Sequence, residues 1–519
     1  MVMADRLGGP AYMLPELAEQ ALAGGKVLVE GDNAGRDIAS LRRLLQAHAA
    51  AKLTVLARKQ GSRLARAARQ AGAALLLLDD TSPWAVVDAA DEVHAPLHHD
   101  IAVLARMAGR PVFDCGVRAA DCAPGLLAAA FLVLGTRYLD PLDGRPIACE
   151  AFLDRVLEWR RLQARVPRIG CFVGISFWKR RRMAEFAGGK ARFARSASQA
   201  VALAAQAQGG IAVWPSRAPE GLDAAAAAAG VPVFRVEDGF IRSRGLGADF
   251  IPPASIIMDG RGIYYDARQP SDLEVLLTGQ IFTPELLSRA RRLIDVLVAR
   301  GITKYNLGGT RPAVAFPAGR QRILVPGQVA DDLSVRAGGA GIAPGLPLLT
   351  EVRRRNPDAF VIYKPHPDVE AGHRRGAVPD AEVLRSADLV VRDVAMDSLI
   401  GEVHEVHTVT SLTGFEALLR LRPVTTYGRP FYAGWGLTTD IHPPAGRGRQ
   451  LTLEELVAAT LILYPHYLDP VTRLPCGPEQ LIERLDKAGD WRTGTLVGLR
   501  RGQGALRRGL ARRMAGLAL

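Results

Sequence analysis

The strongest constraint on this chain is a repeat within it. Tyr138-Leu139-Asp140-Pro141 recurs as Tyr467-Leu468-Asp469-Pro470. An Ala-rich apolar stretch precedes both copies, a proline follows at the same spacing (Pro146, Pro475), and a glutamate comes after it (Glu150, Glu479). Upstream, Glu92-Val93-His94 and Gly109-Arg110-Pro111-Val112 match Glu405-Val406-His407 and Leu421-Arg422-Pro423-Val424. One supersecondary unit is therefore used twice. Around each copy, short apolar runs alternate with stretches of helical periodicity. That alternation predicts parallel sheets with helices on both faces.

The copies differ in their loops. Where the second has GQVADDLS, YKPHPDV and TSLTGFEALL, the first has EGDNAGRD, LARKQGS and APLHHDIAVLA. The first keeps the packing pattern and loses the polar loops, although Asp32, Asp37, His98 and His99 remain there. Chemistry is expected in the second copy.

There, Ile323–Val325 is an apolar strand that breaks at Pro326-Gly327 and opens into Gln328, Asp331 and Asp332. Phe360–Tyr363 is a second strand, ending in Lys364-Pro365-His366-Pro367-Asp368, with a helix predicted over Leu346–Arg355 between them. Open α/β sheets bind ligands beyond the carboxyl ends of their strands. Prolines stiffen the backbone around His366, and a held His beside a Lys suits an anionic group such as a phosphate. Ser411 and Thr413 open a helix containing Glu416, where hydroxyls and N–H groups suit phosphate or form a plain N-cap. Tyr427, Phe431, Tyr432 and Trp435 wall a pocket or fill a core.

Before this lies another α/β stretch. Its strand VPVFRV runs into EDGFIRSRGLGADFIPP, which carries Glu237, Asp238, Arg242 and Arg244. An acidic pair straight after a buried strand, with arginines close behind, predicts a functional loop. SIIMDGRGIYYDA has a hairpin turn signal at Asp259-Gly260. The basic run Lys179–Arg182 follows a strand-to-helix turn at Gly174, as an anion site or a solvated face. KYNLGG reads as a hinge between lobes.

At 519 residues the chain exceeds one core. Its net charge of +13 favours anionic partners. Five cysteines without a CxxC pair indicate a reduced, cytoplasmic setting. No signal pattern opens the chain, and no apolar run reaches the roughly 18 residues of a membrane span. The tail LRRGQGALRRGLARRMAGLAL has helical apolar spacing and could lie on an anionic membrane surface.

EDGFIRSRGLGADFIPP, RGIYYDARQPSDLE, KYNLG, VPGQVADD, YKPHPDV, HTVTSLTGFEALL and YGRPFYAGWGL together resemble the capsule β-Kdo transferases of the KpsC/LipA type. Residues 168 to about 490 resemble that family's second glycosyltransferase module. Residues 1–165 resemble the trailing half of its first, without catalytic loops. The resemblance implies an α/β fold: a GT-B-like pair of Rossmann-type lobes plus an N-terminal degenerate Rossmann-like domain. The expected division is 1–165 degenerate half-module, 166–316 acceptor-side lobe, 317–490 CMP-sugar lobe with C-terminal helices, and 491–519 basic tail.

The resemblance further implies CMP-Kdo as donor, retained β configuration, and a lipid-linked glycan acceptor at the inner leaflet. It implies a cytoplasmic protein peripheral to the inner membrane, in company with capsule assembly or export proteins, and no nucleic acid. By position Asp332 is the attacking carboxylate, next to Asp331, and Glu237 the acid/base, next to Asp238. Lys364 and His366 hold the CMP phosphate, and Ser411, Thr413 and Glu416 complete the nucleotide site, with Gln328, Arg242 and Arg244 alongside. No cofactor and no metal are expected. A non-catalytic assembly or export scaffold, and another GT-B-like enzyme acting on a nucleotide sugar or CDP-alcohol, are the competing readings.

Overall fold

A computed structural model describes residues 25–491, apart from 79, 80, 82, 141, 142, 190, 245–249, 305–315, 371–377, 393 and 488–490. The tail from residue 492 and most of the hinge sequence KYNLGG lie outside the described residues. The chain forms two compact units, Met1–Gln163 and Ala164–Leu519.

The first unit has strands β1 (Gly25–Val29), β2 (Leu53–Ala57), β3 (Ala74–Leu77), β4 (Ala90–His94), β5 (Val112–Asp114) and β6 (Val117–Arg118). They lie in the order β3-β2-β1-β4-β5-β6, parallel from β3 through β5, with β6 antiparallel to β5. Alternate residues serve opposite cores, as the two-residue period of a strand requires. Val27 and Val29 join Leu56, Val86 and Ile101 on one face; Leu28 joins Leu41, Val55 and Leu64 on the other. The pair β7 (Tyr138–Leu139) and β8 (Pro146–Ile147) stands apart as a two-stranded sheet.

The second unit has two lobes. The first holds β9 (Ile169–Val173), β10 (Phe193–Ala194), β11 (Gly210–Val213), β12 (Val233–Asp238) and β13 (Ser255–Asp259). The second holds β14 (Arg322–Pro326), β15 (Phe360–Lys364), β16 (Leu389–Val390), β17 (Glu405–Thr408), β18 (Val424–Thr426) and β19 (Thr439–Asp440). Its order is β16-β15-β14-β17-β18-β19, all parallel. This repeats the strand order of the first unit and the direction of its first five strands, differing at the sixth, and it is the Rossmann order. Ile323, Val325 and Val361 face one core; Leu324, Ile362 and Val406 face the other.

Two expectations need correction. SIIMD is a strand, but its antiparallel partner is β12 before it, not the GIYYDA segment after it. The chain also returns to the first lobe. β20 (His466–Leu468) and β21 (Pro475–Cys476), counted with the second lobe by the sequence reading, extend the first-lobe sheet in the order β10-β9-β11-β12-β13-β20-β21. Hydrogen bonding to the exposed side of β13 satisfies backbone groups that an apolar hairpin would otherwise leave unpaired.

The repeated Tyr-Leu-Asp-Pro motif is a structural clamp. Asp469 is fully buried; its Oδ1 accepts from the N–H groups of Val471 and Thr472, and its Oδ2 from Arg484 at 2.7 Å. In the first unit Asp140 accepts from Arg155 at 3.4 Å. Each motif follows a helix that ends in a π-helical stretch, Ala129–Leu134 and Ala458–Leu463. The later one is buried, packed near the helix Pro284–Ala299, whereas Val133 and Leu134 of the earlier one are exposed.

Candidate active site

The carboxyl ends of β12, β14, β15 and β17 border one cleft of about 1010 Å³ between the two lobes of the second unit. Of the twelve residues assigned to the site in the sequence analysis, from Glu237 to Glu416, all but Arg242 line it.

Glu237 and Asp238 end β12 on the first-lobe side. Asp238 is held between two buried cations. Lys179 Nζ lies 3.0 Å from its Oδ1, and Arg242 Nε lies 2.7 Å from its Oδ2. Burial alone would raise its pKa, but Arg242, Lys179 and Lys304 overcome this and hold Asp238 well below the usual carboxylate range. Lys179 and Lys304 also draw on Glu237, but less than burial and its neighbour's charge do. Its Oε1 accepts from the Asp238 N–H at 3.0 Å, and burial with the neighbouring Asp238 charge pushes it up to about 7.

Arg242 does not line the cleft and supports Asp238 from behind it. Fully buried, it also donates to Ser243 Oγ and the Ile251 carbonyl, both at 2.8 Å. The Lys179–Arg182 run is split, with Arg181 exposed and its two ends turned inward. Lys179 lies over the Trp214 ring, 3.5 Å from its centroid, and both Lys179 and Arg182 are buried. Arg244 reaches the cleft, with Nη1 donating to the Leu485 carbonyl at 3.2 Å.

On the second lobe, Asp332 is exposed and caps the short helix Leu333–Gly338, its Oδ1 accepting from Ser334 N and Oγ at 2.9 Å. Asp331 lines the cleft beside it. The Asp-Asp turn is pressed close to the Lys-Pro-His loop. A Cβ on Gly327 would sit 2.8 Å from His366 N and 3.0 Å from Tyr363 Oη, so glycine is needed there. Gln328 is spent joining strand ends: its Nε2 donates to Thr410 Oγ1 and its Oε1 accepts from Thr408 Oγ1 and Thr410 N.

Lys364 is buried at the end of β15, with Nζ donating to the Arg392 carbonyl at 2.6 Å. His366 Nδ1 accepts from Asp368 N at 3.1 Å, which puts the proton of the neutral ring on Nε2 as a donor. Ser411 caps the helix Leu412–Leu419; its Oγ accepts from Thr413 N and donates to Thr413 Oγ1. Glu416, one turn in, is buried and pushed up to about 7 by burial, and its Oε1 accepts from Lys304 N at 3.0 Å. Tyr427, Tyr432 and Trp435 are core, fully buried; Phe431 is buried too but touches the cleft.

Sequence reasoning did not single out Lys304, Tyr265 or Arg392 for this cleft. Lys304 and Tyr265 lie within blocks quoted for the resemblance, which was the available signal. In the first unit, the matching loops are occupied internally. Asp32 pairs with Arg58 at 2.6 Å, Asp37 is buried and accepts from Gly31 N, and His99 caps the helix Asp100–Met107. Among the described residues, no three His, Cys, Asp or Glu side chains gather to hold a metal ion, and no helix is long and apolar enough to cross a membrane.

Two Rossmann-type lobes meeting at a cleft with carboxylates on both walls and Lys364 and His366 at one strand end define a GT-B-like protein. Residues 210–467 match the family described as "Capsule polysaccharide biosynthesis protein". The chain is 40% identical over 350 residues to the capsule polysaccharide modification protein LipA of Neisseria meningitidis serogroup A, covering 67% of this chain and 49% of that protein. The chain thus spans about half the length of the curated relatives it matches. Two solved structures of Thermosulfurimonas dismutans KpsC are similar. The β-Kdo 2,7 transferase is 36% identical with a TM-score of 0.51, covering 62% of this chain and 99% of that one. The β-Kdo 2,4 transferase is 31% identical with a TM-score of 0.53, covering 61% and 98%. The chain belongs to the KpsC/LipA-type family of capsule polysaccharide biosynthesis proteins.

Proposed function

We propose that residues 164–487 form a retaining β-Kdo transferase of capsule biosynthesis, taking Kdo from CMP-Kdo to a lipid-linked, Kdo-bearing glycan. The observation that carries this reading is one cleft walled by Glu237, raised to about 7, on one lobe and the exposed Asp332 on the other, with Lys364 and His366 at an adjacent strand end. Retention by two displacements needs a nucleophilic carboxylate and a separate proton-transfer group.

Asp332 attacks the anomeric carbon and forms a glycosyl ester as the bond to the CMP phosphate breaks. Lys364 and His366 Nε2–H stabilise the charge developing on that phosphate. The acceptor hydroxyl then attacks the same carbon, the ester bond breaks, and the hydroxyl proton passes to Glu237. Two inversions restore the starting configuration. Glu416 and the N-terminus of its helix serve the ribose and phosphate of CMP. The reaction draws on these side chains, with no metal.

The protein works at the cytoplasmic face of the inner membrane, where its net charge of +13 favours contact with anionic headgroups and with capsule assembly proteins. The test is incubation with CMP-Kdo and a Kdo-primed acceptor, following CMP release and the linkage formed. Transfer by the wild type, with Asp332→Ala losing about 10³-fold or more while still binding CMP, supports the reading. Undiminished transfer by D332A removes the nucleophile, and absence of CMP release by the wild type removes the activity.

A further inference from the structure

The cleft contains a polar group that the two-carboxylate scheme leaves unused. Tyr265 follows β13 on the first lobe and is 9% exposed. Its ring lines the cleft, 5.3 Å from the ring of Tyr264. Its backbone reaches the second lobe: a Cβ on Gly338 would lie 3.4 Å from the Tyr265 carbonyl oxygen. Gly338 closes the short helix that Asp332 opens. Tyr265 is thus a first-lobe residue seated against the element that positions Asp332.

The Tyr265 hydroxyl is buried and has no hydrogen-bond partner among the described residues. That is a costly place for an O–H, and a phenylalanine would fill the same space without the penalty. Burial raises its pKa most, and the charges of Glu237, Tyr264 and Asp332 raise it further. It remains a protonated donor at any working pH. A lysine or arginine in the same spot would pair with one of those carboxylates and weaken it as a nucleophile or base. A neutral phenol donates without neutralising either.

We propose that Tyr265 is a substrate-contacting residue whose O–H donates to the carboxylate of the sugar bound between Glu237 and Asp332. This rests on the reading of the cleft as a transferase acting on an ulosonic acid. In such a sugar the carboxylate is bonded to the reacting carbon, so it must lie beside both enzyme carboxylates. There it needs a hydrogen-bond donor that they do not capture first.

The test is Tyr265→Phe, which removes one oxygen and keeps the ring. Three quantities are read on the full chain: the thermal midpoint, the affinity for CMP, and kcat/KM with CMP-Kdo and a Kdo-primed acceptor. The expected result is a midpoint unchanged or higher, unchanged CMP affinity, and kcat/KM lower by about 10–100-fold, the scale of one lost hydrogen bond to a charged group. Transfer within twofold of an active wild type overturns this inference alone. A lower midpoint with CMP affinity lost in parallel also overturns it, since the hydroxyl would then be a structural group. A wild type that neither binds CMP nor releases it from CMP-Kdo removes the transferase reading, and this inference with it.

Discussion

Glu237 and Asp238 are consecutive residues at the end of one strand and titrate in opposite directions. Glu237 is pushed up to about 7 by burial and by its neighbour's charge. Asp238 is equally removed from water but has Arg242 and Lys179 on its two oxygens, and stays ionised. Two carboxylates driven apart by their surroundings mark different chemical duties. Asp238 is a fixed negative charge that keeps Glu237 basic enough to take a proton near neutrality.

That separation sets a pH profile. In the proposed reaction the departing CMP phosphate is stable as an anion and needs no proton, whereas the attacking hydroxyl must lose one. Glu237 has to be ionised for this, so transfer rises with pH through a midpoint near 7. Glu237→Gln is expected to lower the rate by about 10²–10⁴-fold and to remove that limb. Initial rates of CMP release between pH 5 and 9 measure both.

Glu416 gives a stability prediction with a definite sign. Its folded pKa of about 7 lies above its ordinary value of 4.5, because burial disfavours the charged form. Its stabilising contribution is full below pH 4.5, declines as pH rises, and is lost above 7. Glu416→Gln keeps an acceptor for Lys304 N and carries no charge. The variant should gain on the wild type by on the order of 2 kcal/mol between pH 4.5 and 8. Urea unfolding at both pH values, without ligand, gives the difference; a gap that stays constant contradicts the assignment.

The two copies of the Tyr-Leu-Asp-Pro motif should differ in weight. Asp469 and Arg484 have side chains 0% and 10% exposed, and Asp469 accepts two backbone bonds besides. Removing one partner of a buried pair leaves the other uncompensated, so Asp469→Asn should cost about 3 kcal/mol. The Asp140–Arg155 pair is longer and more open, with side chains 17% and 24% exposed, and Asp140→Asn should cost less than about 1 kcal/mol. Denaturant unfolding of each variant compares them. Equal losses would make the motif's two uses equivalent.

Much of the fold was legible because burial writes itself along a strand. The runs at Leu53–Ala57 and Ile323–Val325 announce sheets covered on both faces, and the repeat tied the two sheets together before any coordinates. The return of β20 and β21 to the first lobe was not legible. Pairing with β13 is a long-range choice, and the local pattern of His466–Leu468 suits either lobe. The cleft's anionic and cationic residues were visible as loop motifs, but their division of labour was not. Arg242 follows Asp238 by four residues, and nothing in that spacing distinguishes a ligand contact from a buried counter-ion. Lys179 is farther still in sequence, in a basic run whose neighbour Arg181 is exposed. Aromatic residues are the hardest case: Tyr427, Tyr432 and Trp435 disappear into the core, while Tyr265, never named as a site residue, lines the cleft.

The matched strand orders of the two Rossmann sheets carry a consequence for engineering. One chain holds a furnished copy and a stripped copy of a single scaffold, and the segments that differ are short: 327–334 against 30–37, 364–369 against 58–62, and 410–419 against 95–105. Grafting the furnished loops onto the stripped sheet asks how little must be transplanted before a bare fold begins to bind a nucleotide. Failure would be as instructive as success, since it would assign the remaining requirement to the opposing lobe.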